Sequence, residues 1–179
     1  CCRPRSVDNP WRKFYHFIDQ LKQNIELPEG ARIKRIVGYG SVQANSLLSL
    51  SALAHLFNLD LDYYCVSIPQ WLKANPIGNY KEALRLGTNI IQVEKHNVET
   101  NLNDYMTSAT STFDENTLFM PEGGRCEFAE TGIKSLADEL VDYINQQPLK
   151  SPLIMLPAGT GTTALYLNKH LPHKVVTCP

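Results

Sequence analysis

Apolar positions along the chain alternate between a helical spacing and short β-rich runs. Phe14, Phe17, Ile18, Leu21 and Ile25 recur at helical spacing, and Pro28 and Gly30 of "LPEG" close that stretch, which predicts a first helix. "RIKRIV" is a β-rich run that ends at "GYGS", and the following "ANSLLSLSALAHLF" places Leu47, Leu50, Ala54 and Phe57 on one helical face. "LDYYCVSI" reads as the next strand, "NPIGNYKEALRLG" as a helix with Gly87 as its C-terminal cap, and "TNIIQV" as another strand.

From Glu94 to Asn116 the chain turns polar, with weak helical spacing around Leu102, Tyr105 and Met106; a surface excursion without chemistry is expected there. "TLFM" is a strand ending in "PEGGR", after which Ile133, Leu136, Ala137, Leu140 and Ile144 mark the longest amphipathic helix. "PLIML" leads into "PAGTGTTALYL", whose apolar residues resume at helical spacing, and "KVVT" is the last strand. Six strand segments, nearly all separated by helices, predict an α/β protein with parallel sheets. The last strand begins at Lys174 and the sequence stops at Pro179, so a fragment or abbreviated relative of a longer protein is expected.

Composition narrows the class. With 179 residues, 43% hydrophobic, 20% charged and a net charge of −1, the chain suits one sizeable core or two small lobes and is not a basic nucleic-acid binder. No apolar stretch approaches the roughly 20 residues that span a bilayer, and the opening "CCRPRSVDNPWRK" lacks the apolar middle of a signal peptide. A cytoplasmic protein without a membrane partner is expected. Cys1, Cys2, Cys65, Cys126 and Cys178 form no CxxC pair and are read as reduced thiols. His170 and His173 lie in a basic, proline-containing loop and are read as solvated rather than as a metal pair, and His16, His55 and His96 are isolated, so no metal is expected.

Candidate chemistry gathers at three turns where a strand meets a helix: "GYGSVQANS", "PEGGR" and "PAGTGTT". At this edge of an α/β sheet, helix N-termini present unpaired N–H groups and the macrodipole favours an anion. "AGTGTT" adds two glycines that let a ligand approach the backbone and three threonine hydroxyls. It lacks the lysine of a GxxxxGK[ST] loop and the spacing of GxGxxG, so neither a nucleoside triphosphate nor a dinucleotide is indicated. Each turn is open to two readings, a plain connection or an anion site; Asn45 and Ser46 are likewise open to helix capping or to contact with a ligand.

The order of these segments, "NPWRKF", "GSVQANS", "NPIGNYKEAL", "PEGG" and "PAGTGTTALYL", resembles the pyridoxal-phosphate enzymes of the 1-aminocyclopropane-1-carboxylate deaminase and D-cysteine desulfhydrase family, from about Asp8 onward. The resemblance implies a tryptophan-synthase-β-like fold (fold type II of the pyridoxal-phosphate enzymes), incomplete at the C-terminus. It divides the chain into residues 1–30, an N-terminal helix packing with the larger lobe, 31–120, a smaller lobe, and 121–179, the first part of the larger lobe. It also implies pyridoxal 5′-phosphate as cofactor, with Gly159, Thr160, Gly161, Thr162 and Thr163 holding its phosphate and Asn45 beside the pyridine hydroxyl. A small amino acid or a phosphate ester is the expected small-molecule partner, and a homodimer the assembly considered.

Two departures from the family pattern bear on activity. Where the family has a serine that handles the substrate, this chain has Ala44, with Ser41, Gln43 and Ser46 nearby as substrate-binding candidates. Where the family reads G-N-K-x-R-K followed by a large apolar residue, this chain reads "DNPWRKF": Asn9, Arg12, Lys13 and Phe14 match, and Pro10 stands at the Schiff-base lysine. Lys13 is a weak substitute, displaced by about 4.5 Å of α-helical rise. The expectation is therefore a deaminase or lyase lineage with impaired or absent activity, the alternative being a non-catalytic binder of pyridoxal phosphate or another small phosphate.

Overall fold

The structure, a computed structural model, describes residues 10–94 and 101–178. Cys1, Cys2, Asn9 and His96, read above, lie outside the described residues. The chain divides into two compact units, Cys1–Phe17 with Gly124–Pro179, and Ile18–Gly123.

The Ile18–Gly123 unit is built on four parallel strands in the order β3-β2-β1-β4: β1 Arg35–Tyr39, β2 Asp60–Cys65, β3 Asn89–Gln92 and β4 Thr117–Met120. Alternation along β1 sends side chains to opposite faces. On one face α2 (Asn45–Phe57) covers Gly38 so closely that a Cβ there would meet the Leu50 side chain at 2.7 Å. On the other, Val37 and Tyr39 pack with Met106 of α5 (Leu102–Ala109), joined by Phe119 and Phe113.

The polar stretch expected as a bare surface excursion is thus partly wrong as a description. Met106 is fully buried, Asn101 accepts from the Asp104 N–H as an N-cap, and Asn103 accepts from the Tyr39 phenol at 2.6 Å. Met106, with Leu102 and Tyr105 packed beside it and an asparagine cap, is enough to dock a short, largely polar helix whose apolar spacing is only weak in the sequence.

Other boundaries shift for local reasons. The first helix, α1 (Tyr15–Asn24), ends one residue short of Ile25, which is exposed, because the Asn24 amide leaves the helical pattern to bridge both backbone groups of Ile33 at 2.7 and 2.9 Å. α4 begins at Gly78 rather than Asn75 and runs to Arg85, with Gly87 at φ +88° beyond its end, as a C-terminal glycine should be. A five-residue helix, α3 (Gln70–Ala74), was not visible in the pattern, since only Leu72 of its residues is buried.

In the other unit, residues Pro10–Phe14 form a 3-10 helix leading into α1, followed after Gly124 by α6 (Ala129–Asn145), β5 (Ile154–Pro157), α7 (Thr162–His170) and β6 (Val175–Cys178). β5 and β6 pair in parallel. Ala129, Ile133, Leu136 and Ala137 of α6 form a core with Leu167 and Leu171, against which Ile154, Leu156 and Val175 pack. The N-terminal 3-10 helix sits on the same α6: a Cβ on Gly132 would lie 1.7 Å from the Arg12 carbonyl oxygen, so only glycine permits this approach. The Arg12 guanidinium closes it with a two-pronged bond to Glu139 at 2.6 and 2.7 Å.

Candidate functional site

The three strand-to-helix turns look alike as sequence and differ in what surrounds them. At "GYGS", Gly40 has φ +140°, and a Cβ there would meet the Tyr63 hydroxyl at 2.9 Å and a Glu122 carboxylate oxygen at 3.2 Å. Tyr63 is fully buried, and burial pushes its phenol well above the ordinary range, so it stays a neutral donor, to the Ser41 carbonyl at 3.3 Å. The space next to this glycine is filled by the protein's own polar atoms.

Beyond Gly40 the turn is knitted to the start of α4. Asn79 donates to the Gln43 carbonyl at 2.9 Å and to Asn45 Oδ1 at 3.2 Å, and the Gln43 amide donates to the Ile77 carbonyl at 3.4 Å. Ser41 Oγ accepts from the Gln43 N–H at 3.3 Å. The N-cap of α2 is Ala44, without a side-chain cap, so Asn45 and Ser46 occupy the first helical turn and neither caps it. Ser46 is buried and hydrogen-bonded to Tyr63. Ser41, Gln43 and Asn45 are exposed and lie together, joined by Asn79, a residue the sequence reading placed only in a helix start. The recurrence of asparagine and glycine in "NPIGNY" was the available signal for it.

At "PEGGR" the glycine space is again occupied. Gly124 has φ +67°, and a Cβ there would touch the Phe14 ring at 3.2 Å and Lys13 Cβ at 3.6 Å. The turn therefore backs onto the 3-10 helix of the N-terminal segment.

The turn "AGTGTT" contrasts with both. No atom lies within 4 Å of a Cβ placed on Gly159 or Gly161, and Gly161, the N-cap of α7, has φ +75° and offers no capping side chain. Among the described residues no hydrogen bond takes up the N–H groups of Gly159, Thr160, Gly161, Thr162 or Thr163. The Thr160 and Thr162 hydroxyls stand 3.0 Å apart and engage each other. Backbone donors without acceptors at the positive end of a helix, beside two glycines with open space around them, match what a phosphate requires: several donors and room for close approach. The residues fit the phosphate of the expected cofactor.

At the far end of the same helix, Glu130 Oε1 lies 2.7 Å from both Lys169 Nζ and His170 Nε2. These contacts, Lys169 first, hold the Glu130 carboxyl below its usual range. His170 is thus half-buried and partnered by an acid, not solvated as read from the sequence; Glu130 is forty positions away and was out of view.

Pro10 opens the 3-10 helix and Lys13 is its fourth residue. A 3-10 helix rises about 2 Å per residue with three residues per turn, so the offset from position 10 to position 13 is about 6 Å, not the α-helical 4.5 Å, and the two positions eclipse one another on one face. Lys13 is half-buried, and desolvation pushes its ammonium below the ordinary range.

No family model matches the chain, and no curated protein matches it. Solved structures do. An ACC deaminase homologue superposes with a TM-score of 0.66 at 18% identity, over 94% of this chain and 50% of that one. Diaminopropionate ammonia lyase of Escherichia coli superposes at 0.60 and 14% identity, over 97% of this chain and 52% of that one. A pyridoxal 5′-phosphate-dependent aspartate racemase does so at 0.60 and 13% identity, over 94% and 45%. The chain thus spans about half the length of these structures, and what it shares with them is the fold: the α/β, tryptophan-synthase-β-like arrangement of parallel sheets and flanking helices, fold type II of the pyridoxal-phosphate enzymes.

Proposed function

We propose that the chain binds pyridoxal 5′-phosphate through the turn at residues 159–163 and descends from deaminases or lyases acting on a small amino acid such as 1-aminocyclopropane-1-carboxylate or D-cysteine. The observation that carries this reading is the open glycine and threonine turn whose N–H groups have no acceptor in the described protein. Thr160 and Thr162 would donate alongside the N–H groups of 159–163, and the α7 dipole would favour the phosphate charge. When bound, the cofactor supplies an electron sink for chemistry at the substrate Cα. Asn45 is proposed for the pyridine hydroxyl, and Ser41, Gln43 and Ser46 for the substrate; the burial of Ser46 against Tyr63 restricts it to a supporting role.

Pro10 decides how far the chemistry goes. Its ring nitrogen is an amide and cannot bond to an aldehyde carbon, so the position expected to anchor the cofactor and move the Cα proton contributes neither function. This favours a second reading of the same turn, a binder of pyridoxal phosphate or another small phosphate without turnover.

Calorimetric titration of the full chain with pyridoxine 5′-phosphate, which carries the phosphate without the aldehyde, tests the site. Saturable binding that inorganic phosphate displaces and that Thr160→Ala/Thr162→Ala weakens supports it, whereas binding indifferent to those changes sinks it. Ammonia or sulfide release from the two amino acids, measured with pyridoxal phosphate present, separates the readings: no turnover leaves the binder.

A further inference from the structure

We propose that Glu130 is a positioning residue for the phosphate turn: by gripping the last turn of α7 it holds in order the helix whose start carries the N–H donors. The inference rests on the phosphate reading above and adds to it a control of that site from the other end of the same helix.

α7 has little to hold it together by itself. It is nine residues long, opens with the β-branched Thr162 and Thr163, and follows a glycine N-cap that offers no capping side chain. Isolated helices shorter than about 12–15 residues are marginal in water, and a helix of two or three turns orders or frays as one cooperative unit. The order of α7 is therefore supplied from outside. Thr162, Ala164 and Leu167 are buried, and Leu167 and Leu171 join the core with α6. Tyr166, Lys169 and His170 stand three and four positions apart, so they share the adjoining face. All three reach the start of α6 or the turn before it: the Tyr166 hydroxyl donates to the Cys126 carbonyl at 3.1 Å, and Lys169 Nζ and His170 Nε2 each lie 2.7 Å from Glu130 Oε1.

The charges give this grip a direction. Glu130 is the acid in the first turn of α6, and Lys169 and His170 are the basic residues in the last turn of α7, so each group stands at the helix end whose dipole favours it. A phosphate at residues 159–163 would complete the arrangement at the opposite end of α7. Its donors are aligned only while α7 is ordered, and the Glu130 contacts favour that ordered state. Two events that bias one helix toward the same state reinforce each other, and the reinforcement is reciprocal.

The test is calorimetric titration of the full chain with pyridoxine 5′-phosphate, with amide hydrogen exchange measured on the same proteins. Glu130→Gln keeps the side-chain shape and removes the charge; it should weaken binding roughly twofold to fivefold, the scale of a partly exposed ion pair. It should also speed exchange of the Leu165 amide, which bonds to the Gly161 carbonyl in the first turn of α7. In a Lys169→Met/His170→Gln background the same change should have no further effect on affinity, because its partners are gone. Glu139→Gln is the reference for general loss of stability: it breaks the Arg12 contact on the same α6, and should lower the melting temperature while leaving affinity unchanged. Equal affinity of the wild type and Glu130→Gln, further weakening in the background that lacks both partners, or equal weakening by Glu139→Gln overturns the inference. The two readings fail separately: a wild type that binds, with Glu130→Gln binding equally well, keeps the cradle and loses the grip, whereas a wild type that does not bind loses both.

Discussion

Beside Gly40, at the end of β1, the space where a side chain would go is filled by the Tyr63 hydroxyl and the Glu122 carboxylate, and the following residues bond to one another and to α4. Beside Gly159 and Gly161, at the end of β5, that space is open and the backbone donors have no acceptor in the described protein. Both turns join a parallel strand to a helix, and both carry two glycines. The difference shows that a glycine-rich turn becomes an anion site only where the protein leaves its donors unspent; a turn of the same composition that supplies its own acceptors is a packing joint.

Substitutions should separate the two turns, beginning with the largest effect. Gly40→Ala should cost about 2 kcal/mol or more of stability, since the methyl meets Tyr63 and the backbone is held at φ +140°. Gly159→Ala should leave thermal stability within roughly 0.5–1 kcal/mol, because nothing stands in the way, yet weaken phosphate-ester binding by occupying the approach. Thermal melts paired with titration read both; equal destabilisation at the two glycines would erase the contrast.

Thr160→Ala/Thr162→Ala should lower affinity for pyridoxine 5′-phosphate by roughly tenfold to a hundredfold, as expected for one or two hydrogen bonds to a charged group. Asn79→Ala should do the reverse at the other turn, costing about 1 kcal/mol of stability by freeing Gln43 and Asn45, with the affinity for inorganic phosphate unchanged.

The smallest effect concerns pH within the Ile18–Gly123 unit, which also buries Cys65. Burial pushes that thiol up to about 11 from 9.0. Above the ordinary value the unfolded chain loses this proton while the native chain keeps it, so native stability falls as pH rises from about 9 towards 11. Cys65→Ala should flatten that part of a stability profile measured by denaturant titration.

Much of the fold was legible in the sequence. The six strands were visible because each is a compact β-rich run, and "TLFM" matches β4 residue for residue. Parallel pairing followed from the helices between them. What escaped was α3, which rests on Leu72 alone, the docking of α5, whose spacing was visible only weakly, and interactions between distant positions, such as Glu130 with His170 and Gly132 with Arg12. The candidate turns were all visible, but their composition could not rank them, because the ranking depends on Tyr63, Glu122 and Phe14, each of which reaches its glycine from elsewhere in the chain. The offset of Lys13 was likewise misjudged on α-helical geometry, since the 3-10 character of Pro10–Phe14 leaves no mark in five residues.

The most direct measurement is calorimetric titration of the wild-type chain and of Thr160→Ala/Thr162→Ala with pyridoxine 5′-phosphate. Saturable binding to the wild type, displaced by inorganic phosphate and weakened at least tenfold in the variant, is the predicted result; absence of binding, or equal affinity in both proteins, would contradict the assignment of the open turn as a phosphate cradle.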